Sequence, residues 1–309
     1  MIPVTFYTRV IMEFYVQKKN VKMKTLLLAT DFSESSIDAY RYGYDLACLL
    51  KAKVVLVNAM IIAAEIPQAG FFTLPEGEFD ALLQDYTAEL QKIKTELDER
   101  RITGSYRPQV LCINDSGRFI DVIKKTATDL QPDLIVIGTH QVGLLSSILI
   151  GNHAAQLIDS TGGPLLIVKP GTVFKPIKKI AFATEFENAE QYLEVVYRLI
   201  GFAKLLNAEI LLAHVSADRE KSERLQKTLT EYVLDLSNKT DYPHIFYRLI
   251  HNTKTEAGLT WLCEHSQADL LAMAHHSRNL LAEYLTGSHT QKMSKLSALP
   301  LLVLPLLDS

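Results

Sequence analysis

Two acidic residues and a glycine-containing loop are the features of this chain best suited to binding a ligand. Asp31 and Glu185 each follow an apolar stretch, in the shared order Ala-Thr-acid. Gly138 ends another apolar stretch and opens a loop that runs to Gly151. In open α/β sheets, ligands bind beyond the carboxyl ends of the strands, where the strand order reverses. An acid and a loop that both follow strands therefore predict a binding site at that edge.

Histidines accompany this loop and a second one at the same spacing. His140 and His153 are 13 residues apart, as are His276 and His289, and His275 lies beside the second pair. Imidazoles placed this way suit a phosphate contact or a metal site. Neither a nearby cysteine nor an H-x-x-x-H spacing supports a metal, so we expect none. Solvent-exposed histidines without a ligand are the alternative.

These features recur because the chain contains two related copies. KTLLLATD begins at Lys24 and KKIAFATE at Lys178, an offset of 154. DLIVIG begins at Asp133 and DLLAMA at Asp269, an offset of 136. The first copy therefore has about 18 additional residues in its middle. A repeat of this length is a whole α/β domain rather than a solenoid unit.

The repeat sets the predicted domain boundaries. They are an N-terminal extension over 1–22, a first domain over 23–170, a linker over 171–177 and a second domain over 178–309. The extension fits neither copy and lacks the pattern of a signal peptide. Met23 directly precedes the first repeated strand, so we expect either a natural start at Met23 or a poorly anchored arm.

Apolar strands without polar alternation, separated by helices, predict a parallel sheet covered on both faces. Strands are predicted at 24–30, 53–59, 107–113, 133–138 and 164–169, and again at 178–184, 209–215, 244–250, 269–274 and 300–304. Helices are predicted at 33–50 (with Ser33 as N-cap), 79–101, 119–130 and 153–160, and again at 187–206, 218–238, 254–266 and 288–297. Right-handed crossovers make each copy a doubly wound α/β domain. A strand order of 3-2-1-4-5 would bring strands one and four together.

Composition excludes several classes of function. The chain is 48% hydrophobic and 22% charged, which is ample for two cores. A net charge of −3 without a basic stripe predicts no nucleic-acid partner. No apolar run approaches the roughly 20 residues of a membrane span. Cys48, Cys112 and Cys263 share no close spacing, so we expect small buried residues in a cytoplasmic protein rather than a disulfide or zinc framework.

The chain resembles the universal stress protein family in its tandem two-domain form, over residues 24–305. The resemblance lies in ATDFSESS after strand one, DLIVIGTH at strand four, and the GNH and GSH that close the loops. It implies an adenine nucleotide alpha hydrolase-like fold and a stress-response binding or regulatory module with ATP, accompanied by Mg²⁺, as ligand. It also implies an intramolecular pseudo-dimer of the two domains, which can form a homodimer in turn.

In nucleotide-binding members of this family the loop has Gly, two residues, Gly, nine residues, Gly, then Ser or Thr, and an Asp after strand one contacts the adenine end. Small residues let backbone amides approach phosphates, and the following helix presents its N-terminus to the anion. The cofactor-binding positions that the resemblance implies are Asp31, Ala59, Gly138, His140, Gln141, Gly151, Asn152, His153, Gly287 and Ser288.

Both copies depart from the nucleotide-binding pattern. In the first copy, Gln141 replaces the second glycine and Asn152 the hydroxyl residue. In the second copy Glu185 replaces the Asp, and Ala274 and Ser277 replace the first two glycines. The first copy keeps the adenine-side acid, whereas the second keeps only the phosphate-side Gly-Ser. We therefore predict that the first copy is the better nucleotide site.

Three functions remain open at this point. The first is a regulatory module with a degenerate ATP site, and the second is a slow ATPase or ATP-dependent switch. The third is a nucleotide-free scaffold, whose irregular loop over 61–78, with Phe71 and Phe72, recruits a partner. The sequence gives hydrolytic catalysis no support, because no nucleophile elbow is present, so a turnover enzyme is the less favoured alternative. In the scaffold case, Asp31 caps the first helix and Gly138 merely ends a strand.

Overall fold

The structure, a computed structural model, describes residues 23–60, 76–100, 106–139, 154, 156–184, 189–275 and 299–306. These residues form two compact units, and the chain passes from the first to the second between Phe174 and Lys175. That point falls inside the stretch predicted as the linker. None of the helices described is both long and apolar enough to cross a membrane.

The first unit is a five-stranded parallel sheet with helices between its strands. Its elements are β1 (Thr25–Thr30), α1 (Glu34–Leu50), β2 (Lys53–Met60), α2 (Glu76–Glu99), β3 (Val110–Ser116), α3 (Phe119–Leu130), β4 (Leu134–Gly138) and β5 (Leu165–Val168). Residues 156–161 are also helical. The strand order is β3-β2-β1-β4-β5, as the sequence predicted.

The second unit repeats this architecture. Its elements are β6 (Lys179–Ala183), α4 (Ala189–Leu206), β7 (Glu209–Ser216), α5 (Arg219–Thr240), β8 (Ile245–His251), α6 (Thr255–His265), β9 (Leu270–His275) and β10 (Leu301–Pro305). The strands are parallel, in the order β10-β9-β6-β7-β8. Counted from its own first strand, this is again 3-2-1-4-5, so each unit is a doubly wound α/β domain.

The central strands are covered on both faces, which explains their unbroken apolar sequences. Leu26, Leu27 and Leu28 of β1 are fully buried although neighbouring side chains point to opposite faces of the sheet. The outer strands are covered less completely. Leu111 of β3 and Phe246 of β8 each expose about half of their surface.

The third strand was predicted at 107–113, but β3 runs from Val110 to Ser116. Pro108 has no N–H to donate to a sheet, which delays the start of the strand. At the other end, Asn114 and Ser116 continue the register against β2. The predicted strand ended at residue 113, before these polar residues, yet an outer strand tolerates polar side chains. The second helix likewise begins at Glu76 rather than at residue 79, inside the predicted loop over 61–78.

An aspartate ties the start of the first strand to the start of the fourth. Asp133 Oδ2 accepts hydrogen bonds from the backbone N–H groups of Lys24 (2.7 Å) and Thr25 (3.0 Å), and the Asp133 N–H donates to the Thr25 carbonyl (2.9 Å). In the second unit, Asp269 Oδ2 accepts from Lys178 N (2.8 Å) and Lys179 N (3.0 Å). The repeated Asp-Leu of the two copies is therefore a structural anchor that fixes the register of the central strand pair.

Helix α1 is held against α2 by polar contacts along one side. Arg41 Nε lies 2.6 Å from Glu96 Oε1, and Arg100 Nη2 lies 2.8 Å from Asp45 Oδ2. The Tyr40 hydroxyl donates to Glu96 Oε2 at 3.3 Å. Burial and the Glu96 carboxylate raise the pKa of Tyr40 to about 12, so this hydroxyl remains protonated at neutral pH. The contacts fix the helix whose first turn borders the sheet edge.

Strand β4 approaches the first turn of α1 more closely than a side chain would allow. A Cβ added at Gly138 would lie 2.4 Å from the Ser35 carbonyl oxygen and 3.2 Å from Ser36 Cα. Both are backbone atoms, which cannot move aside as a flexible side chain can. Gly138 is therefore required by packing in this unit, independently of any ligand.

We expect Asp133→Ala to lower the free energy of unfolding of the first unit by about 2 kcal/mol, because two backbone donors lose a charged acceptor. Asp269→Ala should have a similar effect on the second unit. Urea unfolding followed by circular dichroism measures both. Asp129→Ala, at an exposed position in α3, is the matched control and should change stability by less than about 0.5 kcal/mol. Equal losses in all three variants would contradict the assignment of Asp133 as an anchor.

We expect Gly138→Ala to destabilise the first unit by about 1–3 kcal/mol, since the new methyl group overlaps backbone atoms of α1. Gly77 provides the control, because a Cβ there meets nothing within 4 Å and the residue lies in α2. Gly77→Ala should leave stability unchanged or raise it by up to about 1 kcal/mol through its higher helix propensity. Urea denaturation compares the two variants, and a neutral Gly138→Ala would show that the close approach relaxes without cost.

Candidate functional site

The turn after β1 carries the acidic residue predicted to bind a ligand. Asp31 is exposed, and its Oδ1 accepts hydrogen bonds from the backbone N–H (3.0 Å) and the hydroxyl (2.5 Å) of Ser33. Phe32 adopts a left-handed backbone conformation with φ of 63°, and its N–H donates to Thr30 Oγ1 at 3.1 Å. The carboxylate is thus held in a defined direction at the surface.

Ser33 is the N-cap of α1, as the sequence predicted. Its hydroxyl oxygen accepts from the Ser36 N–H at 3.3 Å, which satisfies one of the unpaired donors of the first turn. Asp31 does not cap the helix directly, so the alternative role considered for it in the scaffold case is wrong. It instead orients the capping residue through the two contacts with Ser33.

The first turn of α1 brings Asp31 and Gly138 to the same place. Strand β1 pairs directly with β4, with Leu26 opposite Leu134 and Leu28 opposite Val136. The carboxyl ends of both strands therefore lie side by side, where the strand order reverses. Asp31 contacts Ser33 at the helix start, and Gly138 lies against Ser35 within the first turn.

A buried polar cluster lies behind the Asp31 turn. Thr30 Oγ1 and Ser36 Oγ are 3.0 Å apart and form a hydrogen bond. From the neighbouring strand, Asn58 Nδ2 donates to the Thr30 carbonyl at 2.9 Å. Thr30 and Asn58 are each only 1% exposed. The end of β1 is therefore held by its own side chain, by α1 and by β2.

The second unit has the same arrangement with a different side chain. The Nδ1 atom of His214 lies 3.1 Å from the Thr184 carbonyl oxygen, and both residues are buried. Because a carbonyl oxygen only accepts, Nδ1 carries the proton in this contact. Glu185, the counterpart of Asp31, lies outside the described residues. Ala274, the counterpart of Gly138, is half-buried near the end of β9.

Three of the predicted cofactor-binding residues fall in the described part of the chain, namely Asp31, Ala59 and Gly138. Ala59 is half-buried near the end of β2, directly opposite Asp115 of β3. It is thus at the same edge as the other two. Seven predicted positions lie outside the described residues, so their placement stays a prediction: His140, Gln141, Gly151, Asn152, His153, Gly287 and Ser288. Phe71 and Phe72 also lie outside them.

Asp115 is a second carboxylate at this edge, which sequence analysis missed. The Lys125 Nζ atom lies 2.6 Å from its Oδ2, and the Ser116 N–H donates to its Oδ1 at 2.9 Å. The hydrogen bond from Lys125 holds the pKa of Asp115 below its usual value. Asp115 is therefore an ionised partner of Lys125, which does not suit the role of a general base at neutral pH.

Sequence analysis also missed Asn58 and His214. The signal was available, since each is a polar residue that directly follows an apolar run, and both occupy the sixth position of eight-residue strands. Comparison of the two copies at that position would have identified them. The sequence analysis concentrated on the loops, where family motifs are defined.

None of the three cysteines forms a disulfide bridge. Burial raises the pKa of Cys48 to about 12 and raises that of Cys112 as well, so both thiols are protonated at neutral pH. Cys48 is buried as expected, whereas Cys112 and Cys263 are only half-buried because they lie on an outer strand and on α6. Within the described part of the chain, no cluster of three or more His, Cys, Asp or Glu residues is placed to hold a metal ion.

Comparison with known proteins identifies the family. The model of the universal stress protein family matches residues 22–169 and again residues 176–305. A universal stress protein of Methanocaldococcus jannaschii is 27% identical over 164 residues, which cover 48% of this chain and 97% of that protein. One from Thermus aquaticus is 26% identical over 146 residues, which cover 47% of this chain and 98% of that protein.

A solved structure of similar fold matches both units. The crystal structure of a universal stress protein from Archaeoglobus fulgidus superposes with a TM-score of 0.66, and the match covers 93% of this chain and 98% of that one. At 18% identity this likeness concerns the fold alone. The two matches to the family model cover most of the sequence, in the same order as the internal repeat. The chain therefore belongs to the universal stress protein family, with two copies of the family's domain in tandem.

Proposed function

We propose that the first unit of this chain binds an adenine nucleotide and acts as a stress-response regulatory module rather than as a turnover enzyme. The observation that carries the proposal is the juxtaposition of Asp31 and Gly138 at the first turn of α1, where the strand order reverses. The acid and the start of the loop are the two parts that the family motif requires to be close together. In this unit they adjoin the same helical turn.

Each part suits one end of a nucleotide. The Asp31 carboxylate is exposed and only accepts hydrogen bonds when ionised, so it suits the hydroxyl and amino groups of an adenosine moiety. Its contacts with Ser33 restrict its rotation and lower the entropy lost on binding. The chain beyond Gly138 leads into the loop whose backbone amides would receive the phosphates.

The second unit is less suited to the same ligand. Glu185 places its carboxylate one methylene group further from the backbone than Asp31 does, and Ala274 carries a Cβ at the position of Gly138. In the first unit a Cβ at that position would overlap the Ser35 carbonyl, so the second unit requires a wider spacing there. The two differences affect both the acid and the start of the loop, which supports the first unit as the binding domain.

The described residues at this edge support binding more than hydrolysis. Hydrolysis requires a group that activates water, and such a group needs an available acceptor of suitable pKa. Asp115 in β3 is paired with Lys125, and Asp31, which follows β1, would contact the adenosine end rather than the phosphates. A nucleotide held without rapid hydrolysis changes the stability and surface of the domain, which suits a regulatory role.

Thermal unfolding with and without ATP and Mg²⁺ tests the proposal. A ligand at 100 times its dissociation constant stabilises the folded state by about 2.7 kcal/mol, so the melting temperature should rise with ATP concentration. Asp31→Ala should abolish the shift, because the adenine-side acceptor is lost. Glu185→Ala is the matched control in the second unit and should leave the shift intact.

Three results would contradict the proposal. No shift at millimolar ATP, together with no nucleotide released from the denatured protein, would exclude nucleotide binding. A shift that is lost in Glu185→Ala and kept in Asp31→Ala would place the nucleotide site in the second unit rather than the first. Phosphate release by the wild type that disappears in Asp31→Ala would favour a slow ATPase instead.

A further inference from the structure

We infer that Asn58 and His214 are positioning residues: each holds a carbonyl at the carboxyl end of the first strand of its unit, and Asn58 thereby directs Asp31, the acid that follows. Asn58 Nδ2 donates to Thr30 O at 2.9 Å, and His214 Nδ1 donates to Thr184 O at 3.1 Å. Asp31 follows Thr30 directly, and Glu185 follows Thr184. The inference deepens the proposed function, on which its binding measurement rests.

The two contacts are equivalent in the fold. Asn58 and His214 occupy the sixth position of eight-residue second strands, and Asn58 is the register partner of Thr30. They are 1% and 8% exposed, so each hydrogen bond lies in the interior rather than in solvent. The residue type has changed between the copies, whereas the contact with the carbonyl has been kept.

The planar peptide bond explains how such a contact directs the acid. The Thr30 carbonyl and the Asp31 N–H belong to one rigid peptide unit, so fixing the oxygen fixes the plane from which Asp31 leaves the sheet. On the other side of Thr30, its hydroxyl receives the Phe32 N–H and pairs with Ser36. Only Asn58 among the described side chains holds the carbonyl itself.

Asn58 is not the residue that stability alone would favour at this position. Its Oδ1 is buried and accepts no hydrogen bond within the described part of the chain. An unpaired buried acceptor is unfavourable, and an apolar side chain at this buried position would avoid it. The hydrogen bond from Asn58 Nδ2 to the carbonyl at the end of β1 therefore explains why an amide side chain stands at this position.

The two copies supply the test variants. Asn58→Leu removes the donor with little change in size, and Asn58→His introduces the donor that the second unit uses. We expect Asn58→Leu to weaken ATP binding about tenfold, which corresponds to about 1.4 kcal/mol, and Asn58→His to recover affinity to within about threefold of the wild type. Isothermal titration calorimetry measures these affinities, and urea unfolding measures the global stability of each variant.

Hydrogen exchange gives a readout that needs no ligand. The Phe32 and Ser33 amides donate to Thr30 Oγ1 and Asp31 Oδ1 within the turn. We expect the exchange of these amides to accelerate about tenfold in Asn58→Leu and to return to the wild-type rate in Asn58→His, since exchange reports local opening. Amides of β5, at the far side of the first unit's sheet, should exchange as in the wild type.

The second unit allows the same test in the reverse direction, with the larger His214 replaced by Asn. His214→Asn should keep the protection of the Thr184 amide, which donates to Ala213 O at 3.0 Å, whereas His214→Leu should reduce it. If Asn58→Leu does not fold, Asn58→Ala removes the same donor without adding bulk. Unchanged exchange at Phe32 and Ser33 in either donorless variant would overturn the inference. The inference would also be overturned by an acceleration of amide exchange that includes β5. The same holds if Asn58→His does not restore the protection of the first unit's turn and His214→Asn does not keep that of the Thr184 amide.

The outcomes separate this inference from the proposed function. If the wild type binds no ATP, the proposed function fails, and hydrogen exchange still decides whether Asn58 directs the turn. If the wild type binds and Asn58→Leu binds equally well, the positioning role is wrong while the proposed function stands.

Discussion

The fixation of the first strand at both ends is the constraint on which the rest of each unit depends. At its start, the Asp133 carboxylate receives two backbone N–H groups of the β1 terminus, and Asp269 does the same for β6. At its end, Asn58 holds the carbonyl of Thr30, and His214 holds that of Thr184, which directly follows β6. A strand anchored at both ends cannot slip in register, and in a parallel sheet every neighbouring strand takes its position from it.

These anchors determine the geometry at the carboxyl ends of β1 and β4. With β1 and β4 in fixed register, the end of β4 meets the first turn of α1 so closely that position 138 accommodates only glycine without a shift. The chain after β1 passes through Phe32, in its left-handed backbone conformation, and reaches the N-cap Ser33. Asp31 is exposed as a consequence of the way the chain must leave the sheet. The candidate site thus follows from backbone constraints, and only its side chains are free to vary.

The fold could be predicted from sequence because a parallel sheet covered on both faces has a distinctive pattern. Unbroken apolar strands, helices of suitable length and a whole-domain repeat were sufficient to predict two doubly wound parallel sheets, in which the order 3-2-1-4-5 was a hypothesis. The limits of β3 could not be predicted, since an outer strand accepts Asn114 and Ser116, which a sequence pattern assigns to a turn. The need for Gly138 was visible, but its cause, the nearby Ser35 carbonyl, depends on packing between elements distant in sequence. Asn58 escaped notice because one hydrogen bond to a backbone carbonyl leaves no motif in a single copy.

Comparison of the two copies separates what the fold requires from what a ligand requires. The anchors are kept, with Asp133 and Asp269 identical and with Asn58 replaced by another donor, His214. The acid that would face a ligand has diverged, from Asp31 in the first copy to Glu185 in the second. Residues that preserve a register remain under constraint in any folded copy, whereas ligand contacts remain so only where binding is used. On the proposed function, a nucleotide therefore stabilises the first unit by mass action and leaves the intrinsic stability of the second unchanged. A tandem chain with such a site would respond to its ligand through a difference between two similar domains, which a single domain cannot provide.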